Sequence, residues 1–137
     1  MGLTVIDADV FIALLNPADA SHAKARKVML DVLTGPRTRV MSAFTLAEIL
    51  VGPLRADDGS EEKVNLTLRG FEITVLDGDR ERARQAAAIR GRTGARLPDA
   101  FVLAAAVEME GRQPDPVTIT SFDKRLLGAW KHLSRAA

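Results

Sequence analysis

Short apolar runs alternate along this chain with longer stretches whose apolar positions recur at helical spacing. Leu3 to Ile6 is the first apolar run and reads as a buried strand. Residues 8–15 continue as a helix that Asn16-Pro17 stops. Residues 21–34 set Ala23, Val28, Leu30, Val32 and Leu33 behind a Ser21 N-cap, and Gly35-Pro36 ends them. Thr38 to Met41 reads as a second strand, and 43–51 as a helix that ends at Gly52-Pro53. The polar RADDGSEEK stretch is a loop leading into a helix around 60–69. Phe71 to Leu76 alternates as a strand. Asp77 or Asp79 caps an arginine-rich helix over about 79–92, and Gly91 and Gly94 bracket a break. Pro98 opens an alanine-rich helix that runs to about Glu110. VTIT at 117–120 is a strand, followed by a short helix near 123–129 and a last strand near 130–133.

Strands that alternate with helices predict an α/β fold: a mostly parallel central sheet with helices on both faces. With 47% hydrophobic and 27% charged residues, the 137 positions suit a single domain over 1–137. No internal repeat or low-complexity segment interrupts it. No apolar run approaches the roughly 18 residues of a membrane span, and the N-terminus has no signal-type pattern. A cytoplasmic location and no membrane partner are the expectation. The chain has no cysteine, which excludes disulfides, thiolate zinc sites and a cysteine nucleophile. The 2 histidines, His22 and His132, lie far apart, so a histidine-rich metal site is not expected. A net charge of +1 means that an anionic partner must meet a local basic face.

The acids carry the chemistry. In open α/β sheets, ligands bind beyond the carboxyl ends of strands. Asp7 follows the first strand, Glu48 lies on the helix after the second, Asp99 opens the alanine-rich helix and Asp123 follows VTIT. Asp9 is close to Asp7. Ordinary roles exist for most of them. Thr45-Leu-Ala-Glu48 fits a capping box, Asp99 suits a helix start, Asp123 suits a cap, and Asp9 suits a surface. Asp7 ends a buried run with no basic neighbour, and an ionised group there needs something cationic or a helix N-terminus to meet it. Carboxylates that converge on one edge repel one another unless a cation lies between them. Oxygen ligands suit Mg²⁺ or Mn²⁺, and such ions support in-line attack on a phosphodiester.

Four stretches together resemble the PIN-domain nucleases. IDADVFIALL resembles their opening motif, SAFTLAEIL the second, RLPDAFVLAAAVE the third and TITSFDKRL the fourth, in the family's order and over nearly the whole chain. The compact length is similar to that of VapC-type toxins of toxin–antitoxin pairs. The resemblance implies an Mg²⁺- or Mn²⁺-dependent endoribonuclease whose acidic quartet is Asp7, Glu48, Asp99 and Asp123. Asp7, Asp99 and Asp123 would hold metal, and Glu48 would help hold it or position water. It also implies a VapB-like antitoxin over the cleft and a homodimer. Asp9 stands where the family more often has asparagine, and is either a further metal ligand or a change in metal affinity. In the fourth motif, Thr120 or Ser121 bonds a carboxylate or phosphate, or caps a turn.

RNA binding needs cations near the acids. Arg90, Arg92 and Arg96, placed in the loop before Asp99, and Lys124 and Arg125 after Asp123 are the candidates; a solvated charged face is the ordinary alternative. Aromatic residues make up only 4%, so extended base stacking is not expected. Trp130 and the histidines read as packing or surface residues. The segment from Leu50 to Val64, read as lying between elements, is a candidate frame for an antitoxin groove. Two other functions compete. One is a haloacid-dehalogenase-type phosphatase with Asp7 as nucleophile, Asp9 as acid and base, and Lys63 or Lys124 in support. The other is a non-catalytic protein-binding domain.

Overall fold

A computed structural model describes residues 2–136. The chain runs β1 (Leu3–Ile6), α1 (Ala8–Leu15), α2 (His22–Thr34), β2 (Thr38–Ser42), α3 (Ala43–Ala56), α4 (Ser60–Gly70), β3 (Ile73–Leu76), α5 (Arg80–Thr93), α6 (Leu97–Arg112), β4 (Val117–Thr120) and α7 (Lys124–Ala136). The 4 strands form one sheet in the order β3-β2-β1-β4. All three pairings are parallel, as the alternation of runs predicts.

The pleat sends alternate side chains to two apolar layers. Leu3 and Val5 of β1, Val40 of β2 and Val117 and Ile119 of β4 face a layer closed by α5, α6 and α7. Ile6, Met41 and Ile73 face a second layer closed by α1, α2, α3 and α4. Burial on both faces explains why β1 reads as a continuous apolar run. Its one polar member, Thr4, is satisfied within the sheet: its Oγ1 lies 2.7 Å from Thr120 Oγ1 and donates to the Thr118 carbonyl at 3.2 Å.

The strand order places the site. From β1 the chain works outward through β2 and β3, then returns to lay β4 on the other side of β1. The reversal opens a crevice beyond the carboxyl ends of β1 and β4, where a ligand has access to the sheet edge.

Several elements depart from the sequence reading. Helix α3 does not end at Gly52-Pro53 but continues to Ala56, closed by Asp57 in the left-handed region (φ 48°) with its N–H on the Pro53 carbonyl. The segment from Leu50 to Val64 is therefore largely helical rather than a linker. Proline in the last turn removes one N–H without preventing the turn from closing. Thr45 is not a cap: Ser42 holds that place, accepting the Phe44 N–H at 3.1 Å, so there is no capping box at Thr45–Glu48. Strand β3 starts at Ile73 because Phe71 ends α4 and Glu72 takes a positive φ of 52°. No strand forms near 130–133. Leu126, Trp130 and Leu133 lie four and three residues apart on one buried face of α7, and the Trp130 indole donates to the Val117 carbonyl at 3.2 Å. Gly91 sits inside α5; Gly94 ends it at φ 73°, with its N–H on Arg90 at 2.8 Å. Arg90 and Arg92 therefore belong to the last turn of α5, not to the loop. Leu97, not Pro98, is the first residue of α6.

Candidate metal centre

The register that pairs Ile6 with Thr120 brings the residues just beyond β1 and β4 together. Asp7, only 9% exposed, caps α1. Its Oδ1 accepts the Ala8 N–H at 2.8 Å and its Oδ2 accepts the Ser121 hydroxyl at 2.7 Å. The same Ser121 oxygen accepts the Asp123 N–H at 3.0 Å. One hydroxyl thus ties the two strand-end acids to each other. Asp123 caps α7 through Oδ1, which accepts from the N–H groups of Arg125 (2.9 Å) and Leu126 (3.3 Å). Its Oδ2 has no hydrogen-bond partner among the described residues.

Glu48 and Asp99 complete the group from the two sides of the sheet. Glu48 stands one turn beyond Phe44 on α3, and Asp99 sits in the first turn of α6, two residues before Phe101. The Phe44 and Phe101 rings stack with centroids 4.7 Å apart and planes 9° from parallel, which holds the two helix starts against each other. No signal in the sequence pairs these two phenylalanines.

The electrostatics show that the acids share one space. Burial raises the proton affinity of Glu48, and the charges of Asp7 and Asp99 raise it further. Asp99 is raised by burial, then by Asp123 and Asp7. Arg96 opposes both shifts. Neither the Glu48 nor the Asp99 carboxylate accepts a hydrogen bond among the described residues. Like charges held this close without a matching set of cations leave a field that favours a bound cation. Among the described residues, no group of three or more acids or histidines is arranged to hold a metal ion as it stands. An all-oxygen donor set with room for water fits a small hard cation of the Mg²⁺ or Mn²⁺ kind.

Asp9 adjoins the quartet and, like Asp7, has both carboxylate oxygens in hydrogen bonds. Its Oδ1 accepts the Val10 N–H at 2.7 Å and its Oδ2 the Phe122 N–H at 3.0 Å, with the Ser121 hydroxyl 3.3 Å from Oδ2. It ties the start of α1 to the turn that carries Asp123. Burial and the charge of Asp7 raise its proton affinity against those hydrogen bonds. Lys24 places its ammonium 4.7 Å from the centre of the Phe122 ring and secures the same turn. Thr120 faces Thr4 inside the sheet and is not free to meet a ligand.

The basic candidates divide. Arg96 and Arg125 line one cavity with Asp99 and Asp123. Arg92 lines a neighbouring cavity. Arg90 donates to the Ala95 carbonyl at 3.1 Å and so supports the bend after α5. Lys124 is exposed at the start of α7. On the other flank, beside Glu48, Ile12, Leu15, Ile49, Pro53 and Val64 wall an apolar cleft.

A family model described as PIN domain matches residues 4–129. Among solved structures, the chain is similar to a Mycobacterium tuberculosis toxin, VapC20, described as cleaving the sarcin–ricin loop. The two share 21% identity over 92% of this chain and 94% of that one, with a TM-score of 0.67. It is also similar to a chain of a Klebsiella pneumoniae toxin–antitoxin complex, at 20% identity over 78% of this chain and 80% of that one, TM-score 0.59. A third similarity is to a chain of the Rickettsia felis VapBC2 complex bound to a fragment of promoter DNA, at 12% identity over 85% and 96%, TM-score 0.56. No curated protein matches the chain in sequence.

Proposed function

The chain belongs to the PIN-domain family, and from that premise we propose that it is a metal-dependent endoribonuclease, the toxin of a toxin–antitoxin pair. One observation carries the reading: Asp7, Glu48, Asp99 and Asp123 come together at the crevice where the strand order reverses, and among the described residues only Arg96 offsets their charge on Glu48 and Asp99. The likeness in fold to a toxin described as cleaving the sarcin–ricin loop supports RNA as substrate.

In this reading Asp7, Asp99 and Asp123 hold Mg²⁺ or Mn²⁺, and Glu48 completes the set or orients the attacking water. The bound ion would supply charge neutralisation and Lewis-acid stabilisation to an in-line displacement at phosphorus. The chain's own residues prepare the site. Ser121 fixes the Asp7 carboxylate and the Asp123 backbone in one register. Asp9 holds the turn that carries both Ser121 and Asp123. Arg96 and Arg125 stand in the same cavity as two of the acids, where they would meet the substrate's phosphates.

The apolar cleft beside Glu48, with Leu54 57% exposed and Val51 53% exposed on the neighbouring surface of α3, supports a protein partner on that side, an antitoxin in this reading. The likeness to chains from toxin–antitoxin complexes agrees with it. A homodimer belongs to the same proposal. The phosphatase reading leaves Glu48 and Asp99, whose proton affinities the Asp7 charge raises, without a role. Lys63 is committed, donating to the Leu15 carbonyl at 2.8 Å.

Purified protein free of antitoxin, incubated with total RNA and Mg²⁺ or Mn²⁺, is expected to give discrete fragments. EDTA abolishes them, and an Asp7→Asn, Asp99→Asn double variant gives none. Intact RNA under every condition, from folded protein, overturns the proposal.

A further inference from the structure

The two flanks of the acid cluster differ in a way that assigns a direction to the substrate. Asp99 and Asp123 stand at the head of a cavity of about 300 Å³ that Arg96 and Arg125 also line. A second cavity, of about 420 Å³, is lined by Arg92 and His132. The two share Thr93 and Ala129, so they form one trough between the end of α5 and the outer face of α7. Among the described residues, no acid lines its far part. The side chains of Arg92, Arg96 and Arg125 form no ion pair or hydrogen bond among the described residues, so their charges are not spent inside the fold. From Arg125 to His132 the trough follows seven residues of helix, about 10 Å, the reach of roughly two or three nucleotides.

The opposite flank offers a nucleic acid little. It is walled by apolar side chains, and its one lysine, Lys63, is bonded to a backbone carbonyl. A phosphodiester chain gains from cations along its path and pays to lie on an apolar wall.

We propose that the RNA strand occupies the α5–α7 trough on one side of the scissile bond only, with Arg96 and Arg125 near the cleaved phosphate and Arg92 and His132 on phosphates further along. This rests on the ribonuclease reading of the acid cluster and adds that nucleotides are needed on a single flank. Histidine enters as a backbone contact, a role the sequence did not suggest for His132.

The test separates binding from cleavage. Binding of a short fluorescent single-stranded RNA is measured by anisotropy on Asp99→Asn protein, so it does not depend on turnover. Adding Arg92→Glu and His132→Glu is expected to weaken binding about tenfold or more and to flatten its salt dependence by about one cation–phosphate contact, that of Arg92. Reversing Arg26 and Lys27, exposed on α2 away from the trough, is expected to leave affinity within twofold and controls for net charge. In active protein, the trough variant raises KM about tenfold and lowers kcat by less than threefold. Shortening the substrate is expected to raise KM on one flank only, and the trough variant no longer responds to that shortening. The proposal is overturned if the trough variant binds like its parent, if the α2 control falls as far, or if both flanks prove equally necessary. Failure of the wild type to cleave, with binding still lost in the trough variant, would instead refute the nuclease reading and leave the cationic, anion-binding trough standing.

Discussion

Ser121 is the residue on which the strand-end acids depend, because its single hydroxyl donates to Asp7 and accepts from the Asp123 backbone. Removing it frees a carboxylate to rotate and leaves a backbone N–H unpaired. Ser121→Ala is expected to lower cleavage about 10–100-fold, the usual cost of losing a partner that orients a metal ligand, and to cost about 1 kcal/mol in urea unfolding. Ser121→Thr keeps the hydroxyl and retains most activity; equal losses in both variants would refute the hydrogen-bond account. Glu48 predicts the opposite pairing of effects. Its proton affinity is raised in the fold, first by burial and then by Asp7 and Asp99, so around its titration the folded state binds more protons than the unfolded one. Its ionisation therefore subtracts stability, beginning as pH rises through the ordinary glutamate range and complete above the raised folded value. Glu48→Gln is expected to reduce cleavage about 10²–10⁴-fold while stabilising metal-free protein at neutral pH by about 0.2–1 kcal/mol, a modest sum because the group is only half-buried. That gain should fade below the glutamate range, which thermal melts at several pH values would show. Asp7, Asp99 and Asp123 were legible as positions, since each follows a strand or opens a helix at the expected edge, whereas Glu48, in the second turn of α3, was marked only by lying on the helix after the second strand. Ser121 was legible only as one of two hydroxyls, because nothing in the sequence says that Thr120 turns inward to Thr4. The true place of Asp9 was hidden for a similar reason: its partner Phe122 lies 113 residues away.

The elements that came through most clearly in the sequence are those whose apolar pattern is settled locally, such as β1, α1 and the alanine-rich α6. Errors fell where two local rules competed. Gly52-Pro53 is a strong stop signal, yet α3 carries on through it because proline near a helix end loses a hydrogen bond that the last turn can spare. The same reasoning yields a prediction. A Cβ at Gly91, inside α5 and not followed by proline, would meet nothing within 4 Å, so Gly91→Ala is expected to raise stability by about 0.5–1 kcal/mol through helix propensity, whereas Gly52→Ala gains less because a Cβ before Pro53 disfavours the helical region; a lower melting temperature for Gly91→Ala would refute the propensity account. At 130–133 the short apolar pair resembled a strand, but Trp130 and Leu133 extend the stripe begun by Leu126 and are helical. A further element-level device is Arg39 of β2, buried at 9% exposure. Its guanidinium donates to the Leu33 carbonyl near the end of α2 (3.2 Å) and to the Phe71 carbonyl closing α4 (3.0 Å). Helix ends carry partial negative charge, so two of them meet this cation in place of a carboxylate. Arg39→Ala is expected to cost about 2–4 kcal/mol in urea unfolding, since charged hydrogen bonds are lost from a buried site. Arg39→Lys would recover little, as an ammonium cannot span both carbonyls as the planar fork does.

A net charge of +1 conceals how unevenly the molecule distributes its charge. Acids gather beyond β1 and β4, arginines line the α5–α7 side, and an apolar cleft takes the α1–α3–α4 side. Composition could not show this partition, because it is made by bringing together helices far apart in the chain. It implies that the acid edge is tolerated in the fold for the cation it receives, and that claim can be tested without any RNA. A ligand that binds only folded protein stabilises it by an amount set by its concentration over its Kd, about 2.7 kcal/mol at a hundredfold excess. The unfolded chain is a poor competitor here, with no cysteine and 2 histidines, so little of the effect is lost to metal bound in the unfolded state. Titrating Mn²⁺ or Mg²⁺ into metal-free protein should therefore raise the melting temperature progressively, while Ca²⁺, which prefers more ligands at longer distances, should do so less. Asp7→Asn is the most informative variant. Asparagine can still cap α1 by accepting the Ala8 N–H, so the fold keeps its local support while the site loses a charge. Its metal-free melting temperature should stay within a few degrees of the wild type, and its metal-induced rise should be largely lost. A rise of equal size in Asp7→Asn would mean that the ion binds elsewhere and that the acid cluster is not its site.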